Sequence, residues 1–316
     1  MNTPMTQVDV AITGATGFVG GHLIDRLIEN RLSVRLLVRT PEKFHRDDVD
    51  VVQGDLASPK ALERLCTGAD TVVHCAGRIS ACSREEFDEV NVDGTIAIVK
   101  AAKAAGARRF VHVSSLAARE PSISDYAASK RAGEVQVRGD DGEMPWIILR
   151  PPAVYGPGDR ATLPLIKQLS QPIAFVPGLR TGRASLIHVR DLSAAIAHVV
   201  AEDTLEQGIY ELDDGKRDGY SWRELSMAAG KARGRKVRCV YLPKSMVKLA
   251  GLVEVAIAKR RGRTPEVTPG KVSELYHPDW VCRHNLLQES SDWVPAVGLS
   301  EGLKETTTWY RQQGWL

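Results

Sequence analysis

Tyr126-Ala127-Ala128-Ser129-Lys130 places a phenol and an ammonium four residues apart, on one face of any helix they share. A free tyrosine titrates near pH ~10 and is a poor acid–base catalyst at neutrality. A lysine cation one turn away favours the phenolate and lowers that value, so the pair can pass a proton to or from an oxygen. Lys130 can also hydrogen-bond the ribose of a nicotinamide cofactor. Ser115, eleven residues before Tyr126, closes an apolar run and can donate to a substrate oxygen. Alone, the Tyr–Lys spacing says little, because a packed tyrosine and a surface lysine are the ordinary outcome. Its weight comes from Gly14-Ala15-Thr16-Gly17-Phe18-Val19-Gly20 upstream. Glycines there permit a tight turn and close approach of a pyrophosphate, which the following helix N-terminus attracts. The set predicts hydride transfer at a nicotinamide with Ser115, Tyr126 and Lys130 as catalytic residues, Lys130 serving the cofactor as well.

Two basic residues choose the cofactor. Sites that prefer NAD put a carboxylate at the end of the second strand to bind both ribose hydroxyls. Here that position is Arg39, nineteen residues beyond Gly20, with Lys43 close behind. A guanidinium pairs with a 2′-phosphate, so NADP is expected, with NAD as the alternative. Asp55 follows the third strand and fits as an acceptor for the adenine amine. Ala76-Gly77, after the fourth strand, offers a small-residue floor.

The elements that must hold these residues alternate. Val8–Thr13, 33–38, 49–53, 71–75, 110–114 and 146–149 read as strands, Val- and Ile-rich and apolar on successive residues, as in a parallel sheet buried on both faces. Helical segments lie between them at 19–30, Pro59–Cys66, 87–105 and 126–138. The pattern predicts an α/β fold, a Rossmann-type doubly wound parallel sheet with a smaller, mainly helical C-terminal substrate lobe. After Pro151-Pro152 proline and glycine become frequent. The expected division is a cofactor domain over 1–155, with 186–205 returning to it, and a substrate lobe over 156–185 and 206–316.

Composition narrows the partners. The 316 residues carry a net charge of +3, which gives nucleic-acid binding no support. Five cysteines without CxxC pairs suggest reduced thiols and a cytoplasmic setting, not a disulfide frame or a metal site. No secretory signal and no span of ~20 apolar residues is present. His74 and His112 fall inside strands and read as core residues. The expected partner is a small-molecule substrate, with a homodimer left open.

These motifs resemble the extended branch of the short-chain dehydrogenase/reductase superfamily over nearly the whole chain. They are similar to NAD-dependent epimerase/dehydratases and to 3β-hydroxysteroid dehydrogenases and dihydroflavonol reductases. The glycine turn, Asp55-Leu56 and His74-Cys75-Ala76-Gly77 match the branch's cofactor motifs. Asn91-Val92-Asp93-Gly94-Thr95 matches its central helix, with Asn91 as a structural and relay residue. Val113-Ser114-Ser115 and Asp125-Tyr126 through Lys130, with Glu134, match its catalytic strand and helix. Leu149-Arg150-Pro151 matches the segment leading from cofactor to substrate lobe, and 187–192 its late strand and helix. The resemblance thus adds Leu56, Cys75 and Pro151 to a cofactor site of Gly14, Thr16, Gly17, Phe18, Val19 and Gly20.

Two departures from the branch bear on substrate. The insert between Ser115 and Tyr126 is short, which implies an open site or one closed by the C-terminal lobe. Sugar-nucleotide enzymes of the branch commonly carry a diphosphate-binding arginine seven residues before the position of Asp191; here it is Ala184, with Arg183 one residue off. Met246–Ala258 is apolar and followed by Lys259-Arg260-Arg261-Gly262-Arg263. The preferred reading is a substrate-lobe helix that offers apolar cover and has a solvated basic end, over a membrane-surface helix. The expected reaction interconverts a secondary alcohol and a ketone on a fairly apolar small molecule. The alternatives are a sugar-nucleotide epimerase or dehydratase and a non-catalytic NADP-binding protein.

Overall fold

A computed structural model describes residues 7–139, 144–169, 171–232 and 236–316. Seven parallel strands form the central sheet: β1 (Val8–Thr13), β2 (Val34–Val38), β3 (Asp50–Gln53), β4 (Ala69–His74), β5 (Arg109–Val113), β6 (Trp146–Arg150) and β11 (Gly208–Glu211). Their spatial order is β11-β6-β5-β4-β1-β2-β3, so the direction of winding reverses between β1 and β4. At such a switch point two strand ends open a crevice, the general ligand site of this architecture. Apolar residues on both strand faces supply two cores. Helices α1 (Phe18–Glu29) and α7 (Val189–Ala201) cover one face through Leu23, Ile24, Leu27, Leu192 and Ile196. On the other face α2 (Pro59–Cys66), α4 (Gly94–Ala104) and α5 (Asp125–Arg138) pack through Leu62, Leu65, Ile98 and Val137.

Between α3 (Arg84–Asp88) and α4 the chain makes a π-helical turn over Glu89–Asp93, where the sequence reads as one continuous helix. The turn is wedged against α5: a Cβ at Gly133 would stand 2.4 Å from the Asn91 carbonyl oxygen. Such bulges widen a helix locally and cluster at functional sites.

The second lobe is built on α6 (Leu163–Leu169), α8 (Trp222–Ala232), α9 (Lys244–Arg260), α10 (Pro269–Leu275), α11 (Leu287–Ser290) and α12 (Leu299–Gln312). Its strands are short. Strand β7 (Ala153–Tyr155) pairs with β10 (Leu186–His188), and β8 (Ile173–Val176) with β13 (Arg238–Tyr241). Strand β9 (Arg183–Ala184) lies between β12 (Tyr220–Ser221) and β14 (Asp279–Trp280). A third core gathers Ile166, Leu169, Leu225, Leu303 and Tyr310, with Trp309 and Trp315 packed on it.

Two expectations differ from this arrangement. Leu186–His188 does not rejoin the central sheet; the returning strand is β11, beyond the boundary expected at 205. Four residues with only two strongly apolar side chains give a weak strand signal, and an edge strand needs one apolar face only. Helix α9 is not inner cover: only Gly251 and Ala258 are buried in it, Val247 and Val255 are half-buried, and Met246, Leu249, Leu252, Val253 and Ile257 face outward.

Candidate active site

The crevice at the switch point is made by the β1 and β4 ends. Gly14 has φ +76, and a Cβ on it would lie 2.5 Å from the Ala76 amide nitrogen. At Gly20 a Cβ would fall 2.2 Å from the Gly14 carbonyl oxygen. Only glycine allows the β1 turn, the β4 end and α1 to meet so closely. Gly17 caps α1 with no side-chain bond and no acidic residue follows in the first turn, so the first amides of the helix stay open to an anion. Thr16 and Gly17 are exposed, while Phe18 and Val19 are half-buried beside them. The residues present therefore fit a dinucleotide: a cradle that a side chain would fill, next to an unpaired helix N-terminus.

Around this cradle the expected residues divide. Arg39 and Lys43 are exposed and make no ion pair among the described residues, at the end of β2 and in the turn after it. Asp55 uses one oxygen to accept from the Ala57 amide at 3.1 Å and the Ser58 hydroxyl at 2.7 Å, bracing the entry to α2. Leu56 packs where a Cβ on Gly94 would stand, 2.6 Å away. Burial pushes the Cys75 thiol up to about 12, so it stays protonated. Gly77 borders both halves of the site, its Cβ position lying 3.4 Å from Asn91 Oδ1 and 3.7 Å from Lys130 Nζ. Pro151 is buried and its carbonyl accepts the Leu116 amide at 2.8 Å, joining it to the turn that carries Ser115.

Ser115 starts that turn at the β5 end, its Oγ accepting from the Ala117 amide at 3.2 Å. Ser124 caps α5 by accepting the Ala127 amide at 3.0 Å, and so sets where Tyr126 leaves the helix. The Ser115 side chain acts on the Tyr126 phenol, favouring its ionised form, and the Phe87 ring lies 6.0 Å from that of Tyr126. Asn91 donates to Ser129 Oγ at 2.8 Å and to the Arg78 carbonyl at 3.0 Å, and accepts the Arg78 amide at 2.8 Å. It thereby ties the segment after β4 to α5. Behind Lys130, Glu134 takes two bonds from Arg150, at 2.7 and 2.6 Å, and one from Ser114 at 2.6 Å.

The electrostatics depart from the simple Tyr–Lys expectation. Lys130 is buried and donates to the Val113 carbonyl at 2.9 Å. Burial pulls its ammonium down to about 8, against the opposing pull of Glu134 and Cys75. The Tyr126 phenol lies above its ordinary value because burial disfavours the phenolate. The groups that act the other way on it are Ser115 and Lys271, not Lys130. The lysine stem runs beneath the helix to the strand, so its charge serves the crevice. His74 and His112 are core residues. Burial lowers His74 to about 3 and His112 well below the usual histidine range, and His74 Nδ1 bonds Thr13 Oγ1 at 2.6 Å.

Three contacts close the second lobe over the site, none apparent from local motifs. The Ser80 hydroxyl donates to the Pro265 carbonyl at 2.5 Å. The Ser124 hydroxyl donates to Glu274 at 2.5 Å, and Lys271 donates to the other Glu274 oxygen at 3.1 Å. Arg119 donates to the Asp279 and Val281 carbonyls at 2.6 and 2.9 Å. The short insert after Ser115 is thus covered by residues 265–281. Arg183 donates to the Asp218 and Gly219 carbonyls at 2.6 and 3.0 Å and pairs with Glu224 at 3.2 Å, while Ala184 sits in β9.

Comparison with known proteins gives the family and the fold. The NAD dependent epimerase/dehydratase family matches residues 10–212. The ceramide reductase of Caulobacter vibrioides is 45% identical, covering 97% of this chain and 96% of that protein. The decarboxylating sterol-4-alpha-carboxylate 3-dehydrogenase of Saccharomyces cerevisiae is 26% identical over 96% of this chain and 99% of its own. Among solved structures, the UDP-glucose 4-epimerase of Thermotoga maritima with UDP-glucose superposes with a TM-score of 0.75 at 18% identity. It covers 96% of this chain and 99% of that one, and it shows a common fold.

Proposed function

The chain belongs to the NAD dependent epimerase/dehydratase family and is an NAD(P)-dependent oxidoreductase of the extended short-chain type; from that premise we propose that it interconverts a ketone and a secondary alcohol on an apolar, ceramide-class lipid with NADP(H). The observation that carries the reading is the placement of Ser115 at the β5 end and of Tyr126 and Lys130 on α5, with Lys130 Nζ reaching a crevice that only glycine keeps open. NADP(H), when bound, supplies or accepts the hydride. Tyr126, held as a neutral phenol by burial, gives its proton to the carbonyl oxygen in the reducing direction and takes it back in the other. Ser115 donates a hydrogen bond to the same oxygen and favours the charge that develops there. Lys130 orients the ribose from the β5 end. Arg39 and Lys43, exposed and unpaired, support a 2′-phosphate and hence NADP.

The ceramide-class substrate rests on the 45% identity to a ceramide reductase and on Arg183. That guanidinium already holds two carbonyls and a carboxylate, so a sugar diphosphate would have to displace them. The test is NADPH oxidation, followed by absorbance, with a long-chain 3-ketolipid in detergent micelles. Turnover that Tyr126→Phe abolishes is the expected result. No turnover of the lipid, together with turnover of a UDP-sugar, overturns the proposal.

A further inference from the structure

Helix α9 is packed inside out. Met246, Leu249, Ala250, Val253 and Ile257 recur at the spacing of one helical stripe, with Leu252 beside it. Met246, Leu249, Leu252, Val253 and Ile257 are 62%, 64%, 53%, 52% and 38% exposed. The face turned inward is small: a Cβ on Gly251 would lie 3.3 Å from the Thr268 carbonyl carbon, where α9 rests on the start of α10. A helix that served only its own lobe would bury the leucines and expose the glycine. Around the stripe stand Lys244, Lys248, Lys259, Arg260, Arg261 and Arg263 against a single carboxylate, Glu254, a net +5 on a chain whose total is +3. Arg263 is held by Glu254 at 2.6 and 3.0 Å. The other five cations are exposed and make no ion pair among the described residues.

We propose that α9 docks the protein on the surface of an anionic lipid bilayer, apolar stripe in the acyl boundary and cations among the headgroups. No helix among the described residues is long and apolar enough to cross a membrane, so α9 would lie in the interface plane. An apolar stripe ringed by unpaired cations matches that interface on both counts. A second copy of the chain does not match it, because stripe-to-stripe contact would bring two +5 helices together. The position suits the reaction. Helix α9 rests on the segment that closes the site, through Ser80 to Pro265 and through Ser124 to Glu274 on α10. A lipid leaving the bilayer beneath α9 would reach Tyr126 past residues 265–281 without crossing bulk water. This deepens the lipid-reductase reading and rests on it for the substrate.

The experiment is flotation of the full chain with vesicles of phosphatidylcholine alone or doped with phosphatidylglycerol, alongside turnover of a water-soluble short-chain ketone. Flotation is expected with the doped vesicles and is expected to fall about tenfold with neutral vesicles or high salt. The double variant Leu249→Glu/Val253→Glu and the triple variant Lys259→Ser/Arg260→Ser/Arg261→Ser should each lose it about tenfold, with melting temperature and soluble-ketone turnover unchanged. Absence of wild-type flotation, or flotation that survives both variants, overturns the docking. So does a dimer in light scattering that Leu249→Glu/Val253→Glu converts to monomer. Flotation without turnover of any ketone would instead sink the redox reading and leave the docking standing.

Discussion

Lys130 donates its ammonium to the Val113 carbonyl at 2.9 Å, although it lies one helical turn from Tyr126. The bond fixes the cation at the β5 end beside Gly77, facing the cofactor floor. Burial there brings its pKa down to about 8. If Lys130 holds the ribose hydroxyls as proposed, the ammonium is the stronger donor, so cofactor binding should favour the protonated form. Because the folded-state value is depressed, the cation is present below about pH 8 and lost above it. NADPH affinity, measured by fluorescence titration, should therefore be flat up to about pH 8 and then weaken by up to about tenfold per pH unit. Lys130→Met should bind more weakly and without that alkaline limb. An unchanged limb in the variant assigns the titration to another group.

Tyr126→Phe keeps the ring that packs against Phe87 and removes only the phenolic proton. Turnover should fall about 10²–10⁴-fold with NADPH affinity nearly unchanged, since general acid–base groups contribute at that scale. Full activity on a true substrate would remove Tyr126 from the mechanism.

Arg39 and Lys43 stand exposed at the end of β2. The wild type should bind NADPH more tightly than NADH, and Arg39→Asp should narrow or reverse the preference, because a carboxylate repels the 2′-phosphate and accepts from ribose hydroxyls. Equal wild-type affinities for the two cofactors would contradict the assignment.

How far the sequence could be read follows from where each signal resides. Strand β1 has the bounds expected, Val8–Thr13, because the apolar run Val10-Ala11-Ile12 marks a doubly buried strand even with the exposed Asp9 near its start. The glycine turn is legible because only glycine avoids collisions of 2.5 and 2.2 Å. The π turn at Asn91 is not: Glu89–Asp93 carries no glycine or proline to mark it, and the close approach of Gly133 comes from another helix. The Ser124–Glu274 contact joins positions 150 residues apart, so no local spacing carries it. In α9 the periodicity tells which side chains share a face but not which way that face points, and in the structure it points outward.

The Ser124–Glu274 bond joins the cap of the catalytic helix to the second lobe, and Glu274 is largely buried. A hydrogen bond to a charged group contributes about 1.5–3 kcal/mol. Ser124→Ala and Glu274→Gln should each lower urea-unfolding stability within that range. The double variant should lose less than the two losses together, because Ser124→Ala removes and Glu274→Gln weakens the same contact. Strict additivity would show that the two residues act separately. Substrate KM should rise more than kcat falls, since the lobe covers the site and supplies none of the reacting atoms.

Substrate class is the sharpest test of the site. A sugar diphosphate brings two negative charges, and the arginine nearest the position where the family places a diphosphate ligand is engaged with Asp218, Gly219 and Glu224. Binding UDP through this guanidinium would first have to break those contacts. An apolar chain meets no such cost and gains about 0.8 kcal/mol per buried methylene. In the presence of NADP, UDP and UDP-sugars should neither raise the melting temperature nor compete with substrate, whereas long-chain ketones and alcohols should do both. Affinity in the ketone series should rise with chain length by about fourfold per methylene until the pocket is filled. Saturable micromolar binding of UDP would instead favour the epimerase chemistry. Arg183→Ala would then show whether this guanidinium leaves its partners to hold the diphosphate.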